Sequence, residues 1–262
     1  MNAAASVLAA RSPLLHWGFM HYVRRAIARS FTAVRLLDAA PTVRADLPLM
    51  VVANHPGWWD PLVFFLLNEA LLAPRRLFGP MDAAALARYG VLARLGLFGI
   101  ERDRHAGTRR FLEVGSAVLR APATALWVTA EGEFGDVRRR PLALKSGVAH
   151  LARRVAGVQV LPVALEYAYW NEARPEVFVA VGPPLHGDAL RLDAIEAALA
   201  ASMDRLASAV VERNPAGFST LLSGRAGMGG AYDACRRVAA WCRGRAFDAA
   251  HEGAAPRAAG RP

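Results

Sequence analysis

Cysteine, lysine and long apolar runs are all scarce in this sequence. Only Cys235 and Cys242 occur among 262 residues. They stand seven apart with no CxxC pair, which leaves neither a disulfide framework nor a thiolate metal site. The two read as reduced thiols of a cytosolic protein. No run of 18 apolar residues exists, so no transmembrane helix is expected. The longest candidate, Pro61 to Ala73, is short and contains Asn68 and Glu69. The apolar first ten residues have no basic residue before them, and arginines recur beyond, unlike a secretory signal peptide. There is no internal repeat, and no GxSxG motif to supply a serine nucleophile.

Apolar residues (54%) and arginine are abundant; the charged fraction is 21%. That composition excludes a disordered chain. The net charge is +10 and the excess is nearly all arginine. Such a surface attracts anionic lipid, nucleic acid or phosphorylated small molecules, and charge alone does not choose among them. Two stretches combine basic and aromatic residues. In 13–37, Met20, Val23, Ile27, Phe31, Val34 and Leu37 recur at helical spacing, with Arg24, Arg25, Arg29 and Arg35 on the other side. With Trp17 and Phe19 at its start, this helix either packs its stripe on a core or lies in a membrane interface. In 231–247, Tyr232, Trp241 and Phe247 mix with Arg236, Arg237, Arg243 and Arg245. That is what an anionic membrane surface needs. It is also what nucleic acid needs, but no nucleic-acid motif accompanies it, so no nucleic-acid partner is expected.

Strand and helix patterns alternate through the middle of the chain. Strands are expected at 47–53, 76–80, 97–101, 123–130, 158–167 and 176–181. Helices are expected from Asp60, near 82–95, and at 106–120, 142–155 and 188–212. The alternation predicts an α/β fold with a mostly parallel central sheet and flanking helices. The expected organisation is an N-terminal amphipathic helical segment (1–40), an α/β domain (41–215), a C-terminal helical extension (216–250) whose helix, near 231–247, follows a Gly-rich break at 223–230, and a disordered tail (251–262).

The stretch "VVANHPGWWDP" ends a buried strand in Asn54-His55 and reaches Asp60 five residues after the histidine. Ligands of open α/β sheets bind at the carboxyl ends of strands. An aspartate one loop away can accept the imidazole N–H, fix its tautomer and stabilise the imidazolium. Gly57 lets the loop double back. A His–Asp pair without its own nucleophile suits deprotonation of a substrate hydroxyl. The plain alternative is Asp60 as a helix N-cap and His55 as an ordinary loop residue.

Three later segments add to this. Asn54-His55 with Asp60 resembles the N-H-x4-D signature of the glycerolipid (lysophospholipid) acyltransferases. Gly96 to Arg102 is similar to their second block, Glu131-Gly132 to the first half of their E-G-T-R block, and Leu161-Pro162-Val163 to their fourth. The four fall in the family's order across 49–165, roughly half the chain. The resemblance implies acyl transfer from an acyl-CoA or acyl-ACP thioester to a lipid hydroxyl at the cytoplasmic face of a membrane. No metal or other cofactor is expected. His55 would be the general base and Asp60 its orienting partner. Asn54, Gly57, Arg102, Glu131, Gly132 and Lys145 would touch substrate: backbone N–H groups of the Gly57 loop at the oxyanion, Arg102 at an acceptor phosphate, Lys145 at an anionic head group. The chain departs from the pattern where Glu133-Phe134 replaces Thr-Arg, which puts lysophosphatidate in doubt as acceptor. Arg138, Arg139 and Arg140 either restore that charge or form a solvated loop. A catalytically inactive, basic membrane-binding protein of the same fold is the competing expectation.

Overall fold

A computed structural model describes residues 3–227 and 238–243. In chain order the elements are α1 (Ala3–Ala10), α2 (Pro13–Ser30), β1 (Ala33–Leu37), β2 (Leu49–Ala53), α3 (Asp60–Leu72), β3 (Arg76–Asp82), α4 (Ala83–Arg88), β4 (Leu97–Ile100), α5 (His105–Arg120), β5 (Thr124–Thr129), α6 (Gly147–Arg154), β6 (Gln159–Ala168), β7 (Glu176–Val181), α7 (Leu192–Glu212) and β8 (Phe218–Ser223). The strands form one sheet in the order β4-β3-β5-β2-β6-β7-β1-β8. All neighbours are parallel except β6 with β7 and β1 with β8.

The sheet is covered on both faces, which is why its central strands are apolar throughout rather than alternating. Side chains along β2 point to opposite faces in turn. Met50 and Val52 enter the core beneath α5, α6 and α7; Leu49, Val51 and Ala53 enter the core beneath α2 and α3. All five are buried. In α3, the two polar residues that interrupt the apolar run have separate fates. Asn68 is buried, donates to the Arg75 carbonyl at 2.7 Å and accepts from the Trp127 indole at 3.0 Å. Glu69 faces outward and pairs with Arg24 of α2 at 2.8 Å.

Three expectations need correction. The helix over 13–37 ends at Ser30, and 33–37 is a strand. Val34 and Leu37 continue the helical spacing by coincidence; they are buried because β1 pairs with β7 and β8. Arg35, expected in water, is instead ion-paired with the buried Glu176 and lies over the Trp170 ring. The helix near 82–95 is broken: α4 gives way to a 3₁₀ turn at Gly90–Leu95, closed by Gly96 at φ +107°. The C-terminal extension opens with a strand, β8, at the sheet edge, so this segment joins the α/β layer. Of the C-terminal basic-aromatic patch, Trp241 and Arg243 are described and exposed. Tyr232, Cys235, Arg236, Arg237, Arg245, Phe247 and the tail 251–262 lie outside the described residues.

The choice between core and interface for α2 also resolves. Met20, Val23 and Ile27 are buried, so the stripe is core. A different edge of the helix, with Leu14, Trp17 and Tyr22, is exposed.

Candidate active site

β2 and β5 run parallel with Ala53 opposite Thr129, so their following loops leave the sheet at the same edge. β3 and β4 end at that edge too, with Asp82 opposite Ile100. β6 is paired with β2 up to Val163 and then overhangs it by five residues. Four loops and one protruding strand therefore meet where the sequence places His55.

Asp60 is fully buried. A carboxylate without water must have its lone pairs filled by protein donors. His55 Nδ1 lies 2.6 Å from Oδ2, and the Gly57 N–H donates to the same oxygen at 3.0 Å. The Tyr167 hydroxyl donates to Oδ1. With Oδ2 as acceptor, Nδ1 carries the ring proton, and Nε2 has no partner among the described residues. The imidazole is mostly buried yet reaches the surface, with 15% of its side chain exposed. The ring is held by Nδ1 and leaves Nε2 without a protein partner among the described residues.

Asp60 is not an N-cap. It is the first residue of α3; the N-cap position is Trp59, which makes no side-chain cap bond. The carboxylate reaches back into the loop instead. Tyr167 was not legible as a site residue. It stands 107 residues from Asp60 and comes to it through the β6 overhang. Its ring stacks on Phe31 at 5.6 Å, and burial, then the neighbouring Asp60 charge, push its hydroxyl pKa far up, so it remains a donor.

The expected substrate-binding residues divide. Asn54 does not face the site. It is buried, donates to the Leu165 carbonyl at 2.9 Å and accepts from the Leu165 N–H at 2.8 Å. Its amide extends the sheet by imitating a strand backbone and so aims His55. Gly57 has no positive φ, and an added Cβ would make an ordinary 3.7 Å contact with Tyr167. Its own N–H is taken by Asp60, so that group is not free for an oxyanion.

Arg102, Glu131, Gly132 and Lys145 do come together. They line a cleft of about 340 Å³ over the ends of β3, β4 and β5. Gly132 turns at φ +77°, as the break after β5 requires. Arg102 is 3.9 Å from Asp82, and Lys145 is 3.5 Å from Asp103. Glu131 is 8% exposed with no hydrogen-bond partner among the described residues. Its pKa is raised, by burial first; Arg139 and His55 pull it down and Glu133 pushes it further up. It borders His55 through Gly135, whose N–H donates to the His55 carbonyl at 3.0 Å and whose α-carbon faces the Glu131 carboxylate.

Phe134 packs against the imidazole, ring centroids 4.4 Å apart, with 60% of the residue exposed. The three arginines that follow do not restore a free charge. Arg138 pairs with Asp136 at 2.7 Å, Arg139 approaches Glu133 at 4.0 Å, and Arg140 pairs with Asp204 at 2.5 Å. Gly99, within the second block, lies where an added Cβ would come within 3.1 Å of Ala83. Its smallness lets α4 pack on β4.

No curated protein matches the chain. Among solved structures, the 1-acyl-sn-glycerophosphate (LPA) acyltransferase PlsC from Thermotoga maritima is similar in fold, with a TM-score of 0.53 at 17% identity over 74% of this chain and 80% of that one. A family model described as acyltransferase matches residues 34–166, half of the chain. That span runs from β1 to the residue before Tyr167 and contains the His55–Asp60 pair and the cleft, and on it the protein belongs to the acyltransferase family of enzymes.

Proposed function

We propose that this acyltransferase moves a fatty acyl group from an acyl-CoA or acyl-ACP thioester to the hydroxyl of a lysophospholipid or related lipid alcohol, with His55 as general base. The observation that carries this is the 2.6 Å bond from His55 Nδ1 to the buried Asp60 carboxylate, which leaves Nε2 free for a substrate hydroxyl. The acceptor hydroxyl gives its proton to Nε2 as its oxygen attacks the thioester carbonyl. The C–O ester bond forms, the C–S bond breaks, and the leaving thiolate takes the proton from the imidazolium. Asp60 holds the ring and offsets the transient charge. No nucleophilic side chain is required. The fold neighbour, named for an acyl-glycerophosphate acceptor, supports a lipid alcohol as substrate class.

Incubation of the purified enzyme with a thioester and a panel of lipid alcohols tests the reading. Thiol release is expected only with acceptor present and in equal amount to ester formed. Thioester hydrolysis without ester, or no thiol at all, overturns it.

A lipid acceptor has to be met at a membrane. No helix of the described residues is long and apolar enough to cross one. The outer edge of α2 exposes Leu14, Trp17 and Tyr22, and Trp58 is exposed in the loop carrying His55. Between them a groove of about 540 Å³ is lined by residues that include His21, Arg25, Arg29 and Trp59. Aromatic bodies with basic groups suit the head-group layer of a cytoplasmic leaflet. We infer peripheral attachment through this edge. Binding to anionic vesicles is expected to weaken markedly in molar salt, because screening acts over about 8 Å at physiological ionic strength and over about 3 Å at 1 M. Binding that only detergent reverses contradicts it.

A further inference from the structure

The chain has a net charge of +10, yet the cleft over the ends of β3, β4 and β5 is lined by more carboxylates than cations. Five carboxylates line it, those of Asp82, Glu101, Asp103, Glu131 and Glu133, against two cations, Arg102 and Lys145. Both cations already face a carboxylate of the cleft itself. Just outside, Arg104 faces Glu101 at 3.5 Å and Arg139 faces Glu133 at 4.0 Å. Ion pairs this exposed are weak, so an incoming phosphate can draw Arg102 or Lys145 away. It would then leave Asp82 or Asp103 unpaired beside a dianion, and like charges at such range repel.

Two further features point to what the cleft accepts. Glu131 is more than nine-tenths buried, has no partner among the described residues, and lines the cleft. Its carboxylate oxygens are open to the cleft rather than sealed in the core, so they are free to accept from a ligand. An ionised carboxylate only accepts hydrogen bonds, and hydroxyls donate them without adding charge. Phe134 presents an open aromatic face directly on the catalytic imidazole. An aromatic face buries C–H surface well and offers nothing to a phosphate oxygen.

We propose that the cleft takes its acceptor by an uncharged, hydroxyl-rich head group, such as the glycosyl unit of a lipid glycoside, and disfavours a phosphate monoester. This rests on the reading of His55 as the base that deprotonates the acceptor. Glu131 receives one head-group hydroxyl, the exposed rim of Phe134 flanks the head group, and the reacting hydroxyl lies at Nε2. That hydroxyl loses its proton to His55 and gains the acyl carbon, and the C–S bond breaks with release of the thiol.

The test compares kcat/KM for an alkyl monoglucoside, lysophosphatidate and sphinganine with one acyl donor, in the wild type, F134R and E131Q. The wild type is expected to favour the glucoside over lysophosphatidate at least tenfold. F134R puts a cation at the imidazole and is expected to raise lysophosphatidate turnover about tenfold while lowering that of the glucoside. E131Q, nearly the same shape without the charge, is expected to move the two acceptors in the same opposite directions. Opposite shifts on two substrates cannot come from misfolding. Lysophosphatidate used as well as the glucoside overturns the proposal and leaves the acyltransfer reading intact. Preference for the amine-bearing sphinganine also overturns it, by making the cleft a cation site. Transfer to none of the three overturns the proposal, and the acyltransfer reading falls with it only if the wider panel of lipid alcohols also yields no ester.

Discussion

His55→Ala is expected to lower kcat by at least about 10²–10⁴, the range for a lost general base, while leaving the melting temperature within a few degrees of the wild type. The activity loss follows from the geometry. Nε2 is the one base with a free lone pair at the loop, and no serine, threonine or cysteine stands on the His55–Asp60 loop to take over. The small stability effect follows from where the ring sits. His55 lies at the surface end of a loop, and its main structural partner is Asp60, which keeps the Gly57 and Tyr167 donors when the imidazole is gone. Steady-state turnover and thermal melting on the same preparation decide it. A folded variant with near-wild-type turnover would refute the base, and would suit an inactive fold or a reaction that needs no proton abstraction at this loop.

Much of this site was legible because it is local. His55 and Asp60 are five residues apart, and the loop between them is bounded by an apolar strand and a helix-starting proline. Strand β2 is recognisable from its own five residues, since burial on both faces makes it wholly apolar. Contacts made across long sequence separations were not legible. β1 reads as the end of a helix because the strand that buries it, β7, comes more than 140 residues later. β8 has a half-polar, largely exposed sequence, FSTLLS, without clean alternation, and is a strand by virtue of its pairing with β1 at the sheet edge. Tyr167 has the same difficulty, as one of five tyrosines with no motif around it. From sequence Asn54 reads as a substrate contact, since it adjoins His55; only the position of Leu165, 111 residues away, shows that its amide is used up in the sheet. The acidity of the cleft was also hidden. It is a sum over residues from the ends of β3, β4 and β5 and the segment before α6.

Asp60→Asn is expected to lose about 10²–10⁴ in kcat and, unlike His55→Ala, also to melt lower. Three donors converge on this buried carboxylate, and an amide can accept at only one of its two ends. In one orientation the amide oxygen takes the place of Oδ2. His55 and Gly57 keep their acceptor, the NH₂ faces the Tyr167 hydroxyl, and that hydroxyl can turn to accept. The imidazole then holds its tautomer but loses the buried negative charge that offsets the imidazolium. In the other orientation the NH₂ confronts the Gly57 N–H, two donors meeting without an acceptor, and Nδ1 must accept. The ring proton then moves to Nε2 and the base is lost. Both orientations damage the reaction, and the second also strains the loop. Tyr167→Phe separates charge from packing. It removes one donor from Asp60 but preserves the charge and the tautomer, so it should lose about 1–3 kcal/mol of stability and less than tenfold in kcat. If Asp60→Asn retains turnover within a few-fold of the wild type, or if Tyr167→Phe is as inactive as Asp60→Asn, the carboxylate does not act through the charge and tautomer of His55.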